Sequence, residues 1–132
     1  MKILLVDDHV IVRSGLRNLL ASVADAQISE AANGREALLR LRQDRPDLVL
    51  LDLKLPGIGG LELLRRMLLE DKAARIVVLS MHTEPLYAAR AMELGARGYL
   101  SKNASAEELL TAVRRVAENG RYRSACWESK GP

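Results

Sequence analysis

The sequence predicts an α/β fold, a doubly wound sandwich in which helices cover both faces of a parallel sheet. Three observations lead there. Short apolar runs without strict alternation recur along the chain, as expected of strands buried on both faces. Segments with apolar residues at helical spacing separate them. The composition suits helices on a small sheet: 24 Leu and 17 Ala among 132 residues, with only 3% aromatics and no Phe.

The elements follow in order. Ile3–Val6 is the first strand, and Val12, Leu16, Leu19, Leu20 and Val23 recur at helical spacing after it. Gln27–Ala31 alternates more than the other strand candidates, which predicts a strand nearer an edge. Asn33 with Glu36 forms an N-cap and its reciprocal partner for a helix carrying Ala37, Leu38 and Leu41. Leu48–Leu51 is the next strand, followed by Leu61, Leu64 and Leu68 at helical spacing. Ile76–Leu79 precedes a helix with Pro85 in its first turn, Ala88, Ala89 and Met92 along it, and Gly95 at its end. The weaker strand Gly98–Leu100 leads to Ser105 and Glu108, a capping box for a last helix with Leu109, Val113 and Val116 on one side. Five β-α units with short connections force parallel strands and right-handed crossovers.

In such folds ligands sit outside the carboxyl ends of the strands. Asp7 and Asp8 follow the first strand, Asp52 the third, Ser80 the fourth and Lys102 the fifth. Each has an ordinary reading by itself: a strand-end Asp often caps the next helix, a Ser fills a loop, a Lys is solvated. Three carboxylates converging on one rim would repel each other, and a hard divalent cation, Mg²⁺, would relieve that repulsion with oxygen ligands. A carboxylate attacks phosphorus when a metal and cationic donors neutralise the incoming phosphoryl oxygens. Asp52, at the end of the most apolar strand, takes the nucleophile's role. Asp8 and Asp52 would supply metal oxygens with the backbone carbonyl of Lys54, and Asp7 would act directly or through water. Ser80 would donate to one phosphoryl oxygen and Lys102 would pair with another.

Taken together, Ile3-Leu4-Leu5-Val6-Asp7-Asp8-His9, Asp47-Leu48-Val49-Leu50-Leu51-Asp52-Leu53-Lys54-Leu55-Pro56-Gly57, Val77-Val78-Leu79-Ser80 and Gly95-Ala96-Arg97-Gly98-Tyr99-Leu100-Ser101-Lys102 make residues 1 to about 120 resemble the receiver domain of two-component response regulators. The Asp-Asp-His start and the Gly-Ala-x-Gly-Tyr-Leu segment look most like regulators of the nitrate-response and quorum-sensing type, whose output is a helix-turn-helix DNA-binding domain. The resemblance implies a flavodoxin-like (βα)₅ fold with strand order 2-1-3-4-5. It implies that Asp52 accepts a phosphoryl group from a sensor histidine kinase with Mg²⁺ required, and that the acyl phosphate later hydrolyses. Ser80 would then move towards the phosphoryl group and Tyr99 would rotate into the space behind it, reshaping the surface of the fourth helix, fifth strand and fifth helix; homodimerisation on phosphorylation is a further expectation. Lys54 and His82, each two residues beyond a site residue, occupy places that resemble the family's tuning positions for acyl-phosphate lifetime. Asn103 stands after Lys102 where many receivers have proline, which bears on whether that peptide is cis.

Charge and length bound the rest. The net charge of +3 resides mainly in residues 121–132, net +2, and no basic run suited to many phosphates lies in residues 1–120. Residues 121–132 read as a linker remnant or appended tail, and any DNA contact is expected only through an output domain absent from this sequence; a stand-alone receiver is the alternative. A single Cys126, no signal-like N-terminus and no spanning apolar run predict a cytoplasmic protein without membrane contact. Two rivals differ in kind. A haloacid dehalogenase-like phosphatase needs a second carboxylate where Lys54 stands. A pseudo-receiver working by contact alone would not require Asp7, Asp8, Asp52, Ser80 and Lys102 together.

Overall fold

The computed structural model describes residues 1–23, 25–55, 59–81 and 85–123. Strands β1 (Lys2–Val6), β2 (Gln27–Ala31), β3 (Leu48–Asp52), β4 (Ile76–Ser80), β5 (Gly98–Ser101) and β6 (Tyr122–Arg123) alternate with helices α1 (Val10–Leu20), α2 (Gly34–Asp44), α3 (Gly60–Glu70), α4 (Pro85–Leu94) and α5 (Ala106–Ala117). The sheet is parallel throughout, in the order β2-β1-β3-β4-β5-β6. Its first five strands have the order 2-1-3-4-5 that the resemblance implies.

The continuous apolar runs have a direct cause. Alternate residues of one strand enter two separate cores: Leu4, Val49, Leu51, Ile76, Val78 and Tyr99 pack on one face, and Ile3, Leu5, Leu48, Leu50, Val77, Leu79 and Leu100 on the other. The first core is closed by residues of α2, α3 and α4, such as Leu41, Leu63, Met67 and Ala88; the second by Leu20 of α1 and Leu109, Val113 and Val116 of α5. With both faces covered, no strand position in β3 or β4 is left for solvent, and all ten residues are buried. Each fully buried aliphatic side chain contributes about 1.5–3 kcal/mol. β2, at the edge, keeps a half-exposed pattern.

Helix termini follow the local sequence. Asn33 caps α2 by accepting from the Glu36 N–H at 2.9 Å, and the Glu36 carboxylate reaches back to the Ala32 N–H at 3.0 Å. Ser105 caps α5 through the Glu108 N–H at 3.1 Å. The Glu108 carboxylate accepts instead from the Tyr122 hydroxyl, at 2.8 Å. This contact belongs to the one strand that the sequence reading did not anticipate. Tyr122 donates its N–H to the Arg97 carbonyl at 2.9 Å and lies under the Arg115 guanidinium, so residues 122–123 extend the sheet although the expected domain boundary stood at 120.

Two glycines are required by geometry. Gly95 follows α4 at φ +117°, a conformation that side-chain-bearing residues rarely adopt. Gly60 opens α3 where its backbone meets the β3–α3 connection: a Cβ there would lie 2.3 Å from the Leu53 carbonyl oxygen. Gly60→Ala is therefore expected to lower the unfolding free energy by about 1–3 kcal/mol, measured by urea denaturation against the wild type; an unchanged midpoint would show that the connection yields freely.

Candidate functional site

Register brings the rim together. Val6 pairs with Leu51, Asp52 with Leu79, and Ser80 with Ser101. Asp7 and Lys102 are the next residues beyond β1 and β5, so the polar side chains leave the sheet at nearly one level. Backbone bonds hold that level: Asp7 N–H to the Ala31 carbonyl at 3.1 Å, Leu53 N–H to Leu79 at 3.2 Å, and Lys102 N–H to Ser80 at 2.9 Å.

Asp7, Asp52 and Ser80 are the buried polar residues among those described. The Lys102 ammonium sits between the two carboxylates, 3.0 Å from Asp7 Oδ2 and 2.9 Å from Asp52 Oδ2. Asp7 Oδ1 accepts from the His9 N–H at 2.8 Å, and Asp52 Oδ1 from the Lys54 N–H at 2.9 Å. Asp52 Oδ2 is different. It is buried and takes no backbone donor among the described residues; its partner is the Lys102 ammonium, 2.9 Å away. The two oxygens of Asp52 are thus held differently, Oδ1 by a backbone N–H and Oδ2 by the Lys102 ammonium.

The electrostatics follow from that placement. Burial is the largest influence on Asp52 and raises its pKa above the ordinary value, with the Asp7 charge adding to it; the Lys54 N–H and Lys102 oppose without cancelling it. Burial alone would pull Lys102 down, but its hydrogen bonds and charge pairing with Asp52 and Asp7 outweigh this, and its pKa is raised.

The acidic residues fit a hard cation. Carboxylate oxygens of Asp7, Asp8 and Asp52 and a ring nitrogen of His9 all lie within 4.8 Å of one another. Asp52 adds a buried carboxylate to the exposed Asp8 and buried Asp7, an all-oxygen set that suits a hard cation.

A model of the response regulator receiver domain matches residues 3–114. The chain belongs to this family. The receiver domain is 40% identical over 123 residues to the response regulator GacA of Pseudomonas aeruginosa and, equally, to UvrY of Escherichia coli K12. These alignments cover 92% of the chain but only 58% and 56% of the relatives, so it spans little more than half their length. Among solved structures, a two-component response regulator of the LuxR family from Aurantimonas superposes with a TM-score of 0.93 at 38% identity, covering 98% of this chain and 93% of that one. A CheY-like receiver from Methanospirillum hungatei, at 22% identity and a TM-score of 0.83, shares the fold, covering 98% of each chain. The receiver domain serves phosphorylation-based signalling, and receiver domains generally bind Mg²⁺ at their acidic pocket. Among the described residues no helix is long and apolar enough to cross a membrane.

The structure places Asp7, Asp8, Asp52, Ser80 and Lys102 at the carboxyl rim where the sequence put them. The helix-cap alternative for Asp7 and Asp8 is not realised: His9 is the N-cap residue of α1 and its side chain makes no cap bond. Tyr99 is 2% exposed and lies in the core under α4. Lys54 is exposed, and His82 lies outside the described residues. No described peptide bond is cis, that of Lys102–Asn103 included. Sequence reasoning named His9 only as part of a motif. Its ring nitrogen stands 3.0 Å from Asp8 Oδ1 and 3.2 Å from Asp7 Oδ1, and its adjacency to two strand-end aspartates was the available signal.

A carboxyl held above its ordinary pKa binds its proton more readily folded than unfolded. Its ionisation therefore costs stability as pH rises from the ordinary value of 3.8 through the folded one. Asp52→Asn removes that cost while Asp7 keeps Lys102 paired. The variant is expected to show a higher Tm than the wild type at neutral pH, with the gain shrinking as pH falls towards about 3.8 and absent below it; thermal unfolding across pH checks both statements.

Proposed function

We propose that Asp52 is the phosphoacceptor, taking its phosphoryl group from the phosphohistidine of a sensor histidine kinase. The observation that carries this reading is the buried Asp52 carboxylate at the strand rim, with the Lys102 ammonium 2.9 Å from Oδ2 and the Asp7 and Asp8 carboxylates beside it. An oxygen of the Asp52 carboxylate attacks phosphorus, the phosphorus–nitrogen bond to the kinase imidazole breaks, and that ring nitrogen keeps the electron pair, so that the ring, protonated on its other nitrogen, leaves as neutral imidazole. Lys102, already within ion-pair distance of Asp52, neutralises a phosphoryl oxygen, and the Ser80 hydroxyl donates to another. The Lys54 N–H fixes Asp52 Oδ1 and so orients Oδ2. Asp8, Asp52 and the Lys54 carbonyl would hold Mg²⁺, with Asp7 acting directly or through water. Bound there, the ion supplies positive charge against the phosphoryl oxygens.

The added charge is the signal. Ser80 ends β4 and Tyr99 lies in β5, so a phosphoryl group drawing Ser80 inward frees space for the Tyr99 ring and favours one of two arrangements of α4, β5 and α5. Lys54 and His82 are proposed to tune the lifetime of the acyl phosphate. The resemblance to regulators of the nitrate-response and quorum-sensing type supports a parent protein that regulates transcription through a DNA-binding output domain, with residues 1–120 as its receiver and homodimerisation on phosphorylation; the likeness to the response regulators GacA and UvrY fits it. Lys54, where a haloacid dehalogenase-like phosphatase would need its second carboxylate, supports a signalling role over turnover of external esters.

Incubation with a small phosphodonor and Mg²⁺ is expected to add one phosphoryl group, read by intact mass. The adduct should vanish in Asp52→Asn, and persistence there would remove Asp52 from the role. Lys102→Met should slow phosphorylation by at least tenfold while the carboxylates remain. Tyr99→Ala should leave adduct formation within a few-fold of wild type but abolish phosphorylation-dependent changes at α4 and α5, followed by hydrogen exchange.

A further inference from the structure

A cluster of charges outside the rim reaches it from behind. Arg13 of α1 is largely buried, its side chain 13% exposed, and it faces two ways. Its Nη1 donates to the backbone carbonyl of Asp7, and its Nε donates to Glu30 Oε1 at 2.8 Å. Glu30 lies on the edge strand β2 and also takes Arg17, Nε at 3.0 Å and Nη2 at 2.6 Å. The hydrogen bond from Arg17 is the main cause that holds the Glu30 carboxyl below its ordinary pKa, with Arg13 adding to it.

The carbonyl Arg13 grips belongs to the peptide joining Asp7 to Asp8. That peptide's orientation sets where both carboxylates point. β2 also holds the amide of Asp7 through the Ala31 carbonyl, so the acidic turn is fixed at its N–H by one residue of β2 and at its carbonyl, through Arg13, by the neighbouring Glu30.

We propose that Arg13, braced by Glu30, is the positioning residue that orients the Asp7–Asp8 turn for cation binding. The inference rests on the phosphoacceptor reading for its purpose, but its test does not. A guanidinium beside a cation site repels the cation, so charge alone predicts that removing Arg13 tightens binding. Positioning predicts the opposite sign. Groups that orient metal ligands typically change affinity by about 10–100-fold when lost.

The experiment measures Mg²⁺ affinity by isothermal titration calorimetry, and Mn²⁺ affinity by electron paramagnetic resonance, on the unphosphorylated domain. Arg13→Met is expected to weaken both by about tenfold or more. Arg13→Lys, which keeps the charge but lacks the fork that spans Asp7 and Glu30, should recover only part of the loss. Glu30→Gln should weaken binding as well, and Arg13→Met with Glu30→Gln should be no worse than Arg13→Met alone, because the two act as one unit. Arg42→Met, which removes the same charge from an exposed pair with Glu70, is the control and should change affinity less than twofold. Unchanged or tighter binding in a folded Arg13→Met overturns the proposal; should that variant fail to fold, a Glu30→Gln affinity equal to wild type overturns it. Loss of metal affinity in these variants together with no phosphoryl adduct on the wild type would instead uphold the positioning role and remove the phosphoacceptor reading.

Discussion

The Lys102 ammonium held between the Asp7 and Asp52 carboxylates is the contact on which the rest of this domain turns. It joins side chains 95 and 50 residues apart in sequence, with both carboxylates almost wholly out of solvent. Two neighbouring buried carboxylates repel and lose hydration, and the ammonium between them offsets both costs. The pair is therefore poor ballast for stability. Its value lies in holding two carboxylates and an ammonium together at the carboxyl rim of the sheet.

Backbone pairing sets the level at which the trio leaves the sheet. Parallel pairing with a fixed register ends β1 and β3 level with each other, and the β4–β5 pairing sets the Lys102 amide on the Ser80 carbonyl. A one-residue slip of β3 would exchange its two core faces, sending Leu50 and Leu51 into the wrong layers and moving Asp52 off the rim. The hydrophobic pattern that stabilises the sheet thus also fixes the charges at its edge. The same economy appears at β2, where the strand that is least buried supplies both the carbonyl for Asp7 and the carboxylate for Arg13.

The far edge of the sheet shows the opposite case. Tyr122 completes it by satisfying three separate groups, the Arg97 carbonyl, the Glu108 carboxylate and the Arg115 guanidinium, none of them close in sequence on one local motif. A two-residue strand has too few residues to show a period, so it was illegible beforehand. Glu108 likewise looked like a capping partner, and the Ser105 half of that box did form; the carboxylate went to a phenol that the fold carried to it.

What the sequence determined by itself was whatever depends on local order: five strands from uninterrupted apolar runs, the helix starts at Asn33 and Ser105, the glycine after α4, and the set of polar residues that follow strands. Strand-end position is a local property, and in a parallel sheet it is enough to predict a shared rim. Only the tertiary structure decided which partner each oxygen of Asp52 takes, since Oδ1 and Oδ2 are chemically alike until the Lys54 N–H and the Lys102 ammonium approach them. It alone decided that His9 rather than an aspartate stands at the start of α1, that Arg13 and Glu30 meet behind the acidic turn, and that the sheet continues to Arg123. Those outcomes depend on directions and distances between distant segments, and neither composition nor periodicity encodes a direction.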